Sequence, residues 1–182
     1  MVIFALIAAA IVALDQVTKY LVSVNLPETG DTFPLIENVL HFTRVNNTGA
    51  AFGMLSDHRW VFMVISGAAI IGAAVWIIVK KPKNALLLTA VGMIAGGGIG
   101  NMIDRIRLGY VIDFIDCRFI NFYVFNVADS FVCIGCGLLI IYLVASEIRN
   151  ARKKSGTPAE AGAPSEPENS GELGDTREGD GT

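Results

Sequence analysis

Residues 60–79, from Trp60 to Val79, form an apolar run with no charged side chain. This run constrains the chain more than any other feature. About 20 residues of helix match the hydrocarbon thickness of a bilayer, and an uncharged stretch of that length is read as a membrane span. Three further stretches have comparable length: 1–24, interrupted late by Asp15 and Lys19; 85–103; and 127–146, with Asp129 near its start. Hydrophobic residues make up 53% of the 182, too many for an ordinary soluble domain. The pattern predicts an all-α membrane protein with four transmembrane helices, carried by a single domain over residues 1–150.

Charge placement gives an expected orientation. Lys80, Lys81 and Lys83 lie between spans two and three, and Arg149, Arg152, Lys153 and Lys154 follow span four. The positive-inside bias puts both clusters, and with them both termini, in the cytoplasm. Segments 25–59 and 104–126 then lie on the outer face. Segment 33–45 alternates in the manner of a strand, and 110–125 is rich in Phe, Tyr, Ile and Val, so a small extracytoplasmic β element is expected there. Residues 1–150 hold ten basic and ten acidic residues, so the net charge of −3 comes from 151–182, with four and seven. That tail is poor in large aliphatic residues and is expected to be a disordered, acidic cytoplasmic segment. No basic, aromatic-interleaved patch is present, so nucleic acid is not an expected partner. Residues 1–14 lack a preceding basic residue and a cleavage signal, and are read as a retained span rather than a leader.

Chemistry is sought among charges set where charge is costly. Asp113, in Val111-Ile112-Asp113-Phe114-Ile115, and Asp129, in Phe125-Asn126-Val127-Ala128-Asp129-Ser130, both fall at the predicted outer face. Two carboxylates sharing a site hold one proton between them, so one can deprotonate water while the other hydrogen-bonds a scissile carbonyl. The plainer alternative makes Asp129 a first-turn residue matched to the helix dipole. Asp15 and Lys19, four apart, share a helix face as an ion pair or as a brace for the site. Asn47-Thr48-Gly49-Ala50-Ala51-Phe52 reads as a loop able to approach a bound peptide closely. Gly92, Gly96 and Gly100 make a smooth face for helix packing. Beyond them Asn101, Asp104 and Arg105 gather at the outer mouth, with an Asp–Arg pair expected to hold the segment carrying Asp113. Cys133 and Cys136 are read as small apolar packing residues rather than a redox pair. His41 and His58 have no clustered ligands, so no metal is expected. A Ser130–Lys19 dyad is left open by the sequence.

Five of these motifs, in order, resemble lipoprotein signal peptidase, the signal peptidase II family: Asp15-Gln16-Val17-Thr18-Lys19, Asn47 to Phe52, Gly96 to Arg105, Val111 to Phe114, and Phe125 to Ser130. The resemblance covers about residues 10–148. It implies an aspartic endopeptidase of the bacterial inner membrane, active at the extracytoplasmic face. Such an enzyme cuts diacylglyceryl-modified prolipoproteins just before the lipidated cysteine. Asp113 and Asp129 match the catalytic aspartates. Asp15, Lys19, Asn47, Gly49, Asn101, Asp104, Arg105, Asn126 and Ala128 match positions of support or substrate contact. The resemblance also implies inhibition by the cyclic peptide globomycin, contact with membrane lipids, and no metal or organic cofactor. Nothing demands more than a monomer. The rival from another class is a non-enzymatic, proton-coupled transporter subunit, which would spread its acidic groups through the bilayer depth.

Overall fold

A computed structural model describes residues 1–49, 59–120 and 122–155. Residues 50–52 of the Asn47 run, His58, and the tail from 156 lie outside them. Four helices are long and apolar enough to cross a membrane: α1 (Val2–Asn25), α2 (Arg59–Lys80), α3 (Ala85–Arg107) and α4 (Val127–Ser155). Between them lie β1 (Thr32–Ile36), β2 (Leu40–Asn47) and β3 (Val111–Cys117), joined in one antiparallel sheet in the order β1-β2-β3. A short 3-10 helix, Arg118–Ile120, follows β3. The β element is therefore present. Two helix ends differ from expectation: α3 runs on to Arg107, so Asp104 and Arg105 are helical along with Asn101, and α4 runs to Ser155, into what was read as tail. Periodicity marks where a helix is apolar, and a polar last turn continues the same backbone hydrogen bonding.

Helix α3 is the centre of the bundle, with α1 and α4 packed along it, and its glycines explain why. A Cβ at Gly92 or Gly96 would press on the backbone of Phe4 or Ala8 in α1, and one at Gly97 would overlap the carbonyl of Ala128 in α4. Close backbone approach of this kind drives helix association where lipid removes the hydrophobic incentive. Asn84 caps α3 by accepting the Leu87 N–H at 3.0 Å. The outward faces stay apolar and exposed, as at Leu6, Val17, Ile71, Val75, Ile140 and Val144, where lipid takes the place of a protein core. Cys133 and Cys136 are on the exposed side of α4 rather than packed, and Gly135 between them meets Ala90 of α3. A three-residue spacing put the thiols on one face, but the glycine fixes the opposite face as the packed one.

The sheet sits over the ends of α1 and α3. Ile112 and Phe114 alternate onto one face and pack with Val22 of α1, leaving Asp113 on the other face. Arg44 of β2, buried, donates to the Leu26 and Pro27 carbonyls at 3.0 and 2.6 Å just beyond α1, tying strand to helix end. Gly109 takes φ 85° in the turn from α3 to β3, a conformation a side chain would resist.

Candidate active site

The site forms where β3 meets the start of α4. Phe125, just before α4, exchanges backbone hydrogen bonds with Ile115: its N–H donates at 3.1 Å, and its carbonyl accepts from Ile115 at 2.7 Å and Phe114 at 3.0 Å. This clamp leaves Asn126, fully buried, beside Asp113. Asn126 is also the N-cap of α4. Its Oδ1 accepts the Asp129 N–H at 2.9 Å while Asp129 Oδ2 accepts the Asn126 N–H at 3.3 Å, a reciprocal capping box. Asp129 therefore does occupy the first turn, and the capping and chemical readings describe the same side chain.

Each aspartate is held by amides. Asp113 Oδ1 accepts from Asn126 Nδ2 at 2.6 Å and Oδ2 from Asn47 Nδ2 at 2.9 Å. Asn47 reaches it as a diagonal neighbour, since Val45 faces Asp113 and Asn47 faces Val111 in the β2–β3 register. Asp129 Oδ1 accepts from Asn101 Nδ2 at 2.7 Å. Asn101 Oδ1 in turn accepts from Asn126 Nδ2 at 3.0 Å and from the Lys19 ammonium at 2.8 Å. Asp113 is only 2% exposed, and burial pushes its pKa up to about 6. The Asn47 amide opposes that rise, and the nearby negative charge of Asp129 adds to it.

Lys19 joins two carboxylates, Asp15 and Asp104, each at 2.9 Å and all three nearly fully buried. The expected Asp15–Lys19 pair is there. The expected Asp104–Arg105 pair is replaced: Asp104 pairs with Lys19, while Arg105 donates to the Gly49 and Asn101 carbonyls at 3.5 and 3.4 Å. Consecutive helix residues point about 100° apart, so adjacency in sequence does not make a pair. Asp104 still holds the Asp113 segment, through its Oδ2 and the Ile112 N–H at 3.2 Å. Asp15 does the same for α4, accepting the Ala128 N–H at 3.0 Å. Ala128 thus contributes its backbone, packed against Gly97. The Ser130–Lys19 dyad is absent, since the Ser130 hydroxyl donates to the Asn126 carbonyl and Lys19 is committed to its three acceptors. Gln16 was not singled out from sequence. Its amide donates to Asp104 at 2.9 Å, to the Gly100 carbonyl at 3.2 Å and to Asp15 at 3.3 Å, bridging α1 and α3. Its place beside Asp15 in the first motif was the available signal.

A cavity of about 920 Å³ opens over the two aspartates. Asn47, Gly49, Asn101 and Arg105 line its polar side, and Phe122, Tyr123, Val124, Phe125, Val132 and Cys133 its apolar side. Two acids drawn from different elements thus face one largely apolar chamber.

The model of signal peptidase II matches residues 7–145. The chain belongs to the signal peptidase II family. Lipoprotein signal peptidases of Brevibacillus brevis and Bacillus subtilis are 45% and 41% identical to it, covering 75% and 78% of this chain and 91% and 93% of theirs. One from Caldanaerobacter subterraneus is 46% identical over 140 residues, covering 75% of this chain and 94% of its own. Two solved structures, each described as a bacterial membrane enzyme, share the fold. One has a TM-score of 0.74 and 34% identity, covering 87% of this chain and 93% of the other. The second has a TM-score of 0.70 and 37% identity, covering 77% and 91%. Membership in this peptidase family leaves the transporter alternative without support.

Proposed function

We propose that this chain is a membrane-embedded aspartic endopeptidase that removes the signal peptide from diacylglyceryl-modified prolipoproteins, cutting just before the lipidated cysteine. The observation that carries the reading is the pairing of Asp113 and Asp129 in one cavity, with the carboxylate oxygens of both held by amides. Fixed donors of this kind pre-orient acids for chemistry. Arg105, which donates to the Gly49 carbonyl at the cavity wall, has the chemistry to meet backbone carbonyls of a bound peptide.

The basic residues after α2 and near the end of α4 support an orientation with the sheet and cavity on the extracytoplasmic side of a bacterial plasma membrane. A cavity at that level is reachable by a signal helix within the bilayer and by acyl chains in the outer leaflet. Inhibition by globomycin-type cyclic peptides and action as a monomer belong to the same reading. Purified protein in detergent, given a precursor with and without diacylglyceryl modification, tests it by gel shift. Cleavage of the lipidated form alone is expected, and an uncut lipidated precursor would sink the enzyme reading.

A further inference from the structure

The end of the bundle opposite the cavity carries a charge pattern that the peptidase chemistry does not use. Gly135 of α4 meets Ala90 of α3, near where α3 begins at Ala85. The two helices run antiparallel, so α4 passes the start of α3 near residue 140, and its last 15 or so residues project about 22 Å beyond. From Leu143 to Arg152 every residue except Ser146 is exposed. Arg149 and Arg152 stand on this projection, and Arg149 donates to the Ala145 carbonyl of its own helix at 3.3 Å. At the same end, the connection from α2 to α3 presents Lys80, Lys81 and Lys83, all exposed. That connection is tight. The Lys81 N–H closes α2 on the Ile77 carbonyl at 2.9 Å, and Asn84 already caps α3. Among the described residues none of these five cations forms an ion pair, and Glu147 is the one acid at this end. Residues 156–182, beyond the described structure, hold seven acids and one base, Arg177.

We propose that the acidic segment 156–182 docks back along α4 onto the cationic turn 80–83, as an intramolecular partner of that end of the bundle. Charge complementarity is the first argument: an excess of cations with no acids to meet them lies beside an excess of acids in the same chain. Reach is the second. Glu166, Glu168 and Glu172 lie 11 to 17 residues past Ser155, and 11 residues extended span about 37 Å, well over the projection to be retraced. Tethering is the third. A single exposed ion pair is weak, but several acids on one tether meet the lysines at high effective concentration. The rival for the same lysines is the anionic lipid headgroup, which a basic helix end also attracts.

Zero-length carbodiimide coupling of the full chain in neutral detergent tests the proposal. The reagent joins a carboxylate to an amine where the two touch, and peptide mass spectrometry reads the sites. Lys80, Lys81 and Lys83 are the informative amines, because Lys153 and Lys154 adjoin the tail in sequence. Links from those three lysines to Glu166, Glu168 or Glu172 within one chain are expected. Their yield should fall about fivefold when salt is raised to about 0.5 M, where the Debye length shrinks to about 4 Å. The links should persist in nanodiscs that contain phosphatidylglycerol. Absence of these links, or links between two chains only, overturns the proposal. A yield unchanged by salt overturns its electrostatic basis. Links present in detergent but lost in the phosphatidylglycerol nanodiscs make lipid headgroups the occupant and overturn it as well.

Discussion

Replacing Asp113 with asparagine is expected to stabilise the protein at neutral pH even as it removes turnover. A carboxyl whose pKa is about 6 in the folded state, against an ordinary 3.8, costs about 3 kcal/mol when charged there. Because the folded value is raised, the contribution of Asp113 to stability is fully present below 3.8 and is lost as pH climbs through about 6. An asparagine has no such dependence. It does lose one good bond, since Asn47 and Asn126 both present Nδ2 to Asp113 and the new amide can accept from only one of them without a flip. That loss costs about 1 kcal/mol. The variant should therefore be more stable by about 2 kcal/mol at pH 8 and slightly less stable than wild type at pH 4. Thermal unfolding in detergent across that range reads both ends. A stability difference that does not change between pH 4 and pH 8 would refute the view that burial holds this carboxyl up.

Other perturbations follow from the same geometry. Lys19→Met leaves Asp15 and Asp104 buried without their cation, and should cost about 3–5 kcal/mol in unfolding measurements. Gly97→Ala sets a methyl against the Ala128 carbonyl, which is backbone and cannot swing away, so about 1–3 kcal/mol of overpacking and a fall in kcat are expected. Arg44→Ala frees the Leu26 and Pro27 carbonyls and loosens β2 over α1. It should lower the unfolding temperature and raise KM more than it lowers kcat, checked by unfolding and steady-state kinetics.

The helices were legible because lipid demands long apolar runs, and the β element because strands alternate. The glycine face of α3 was equally readable, since four-residue spacing has few uses other than close packing. The partners of Lys19 were only half legible. Asp15 is four residues away on the same helix, but Asp104 lies on α3, and only the packing that Gly96 and Gly100 permit brings it within reach. Asn126 shows the same limit. Its role depends on the Phe125–Ile115 bridge, a backbone contact that leaves no mark in side-chain pattern. Adjacency misled at Asp104 and Arg105, where helical geometry sends neighbours to different faces. The cysteines, read as packing residues, are exposed because the glycine between them takes the packed position.

The central claim is that Asp113 and Asp129 act together on one bond. It is tested most directly by gel shift of a lipidated prolipoprotein with Asp113→Asn and Asp129→Asn, each first shown to be folded by its unfolding transition. Cleavage should fall to background in both folded variants. Near-normal cleavage by either one would contradict a shared catalytic site.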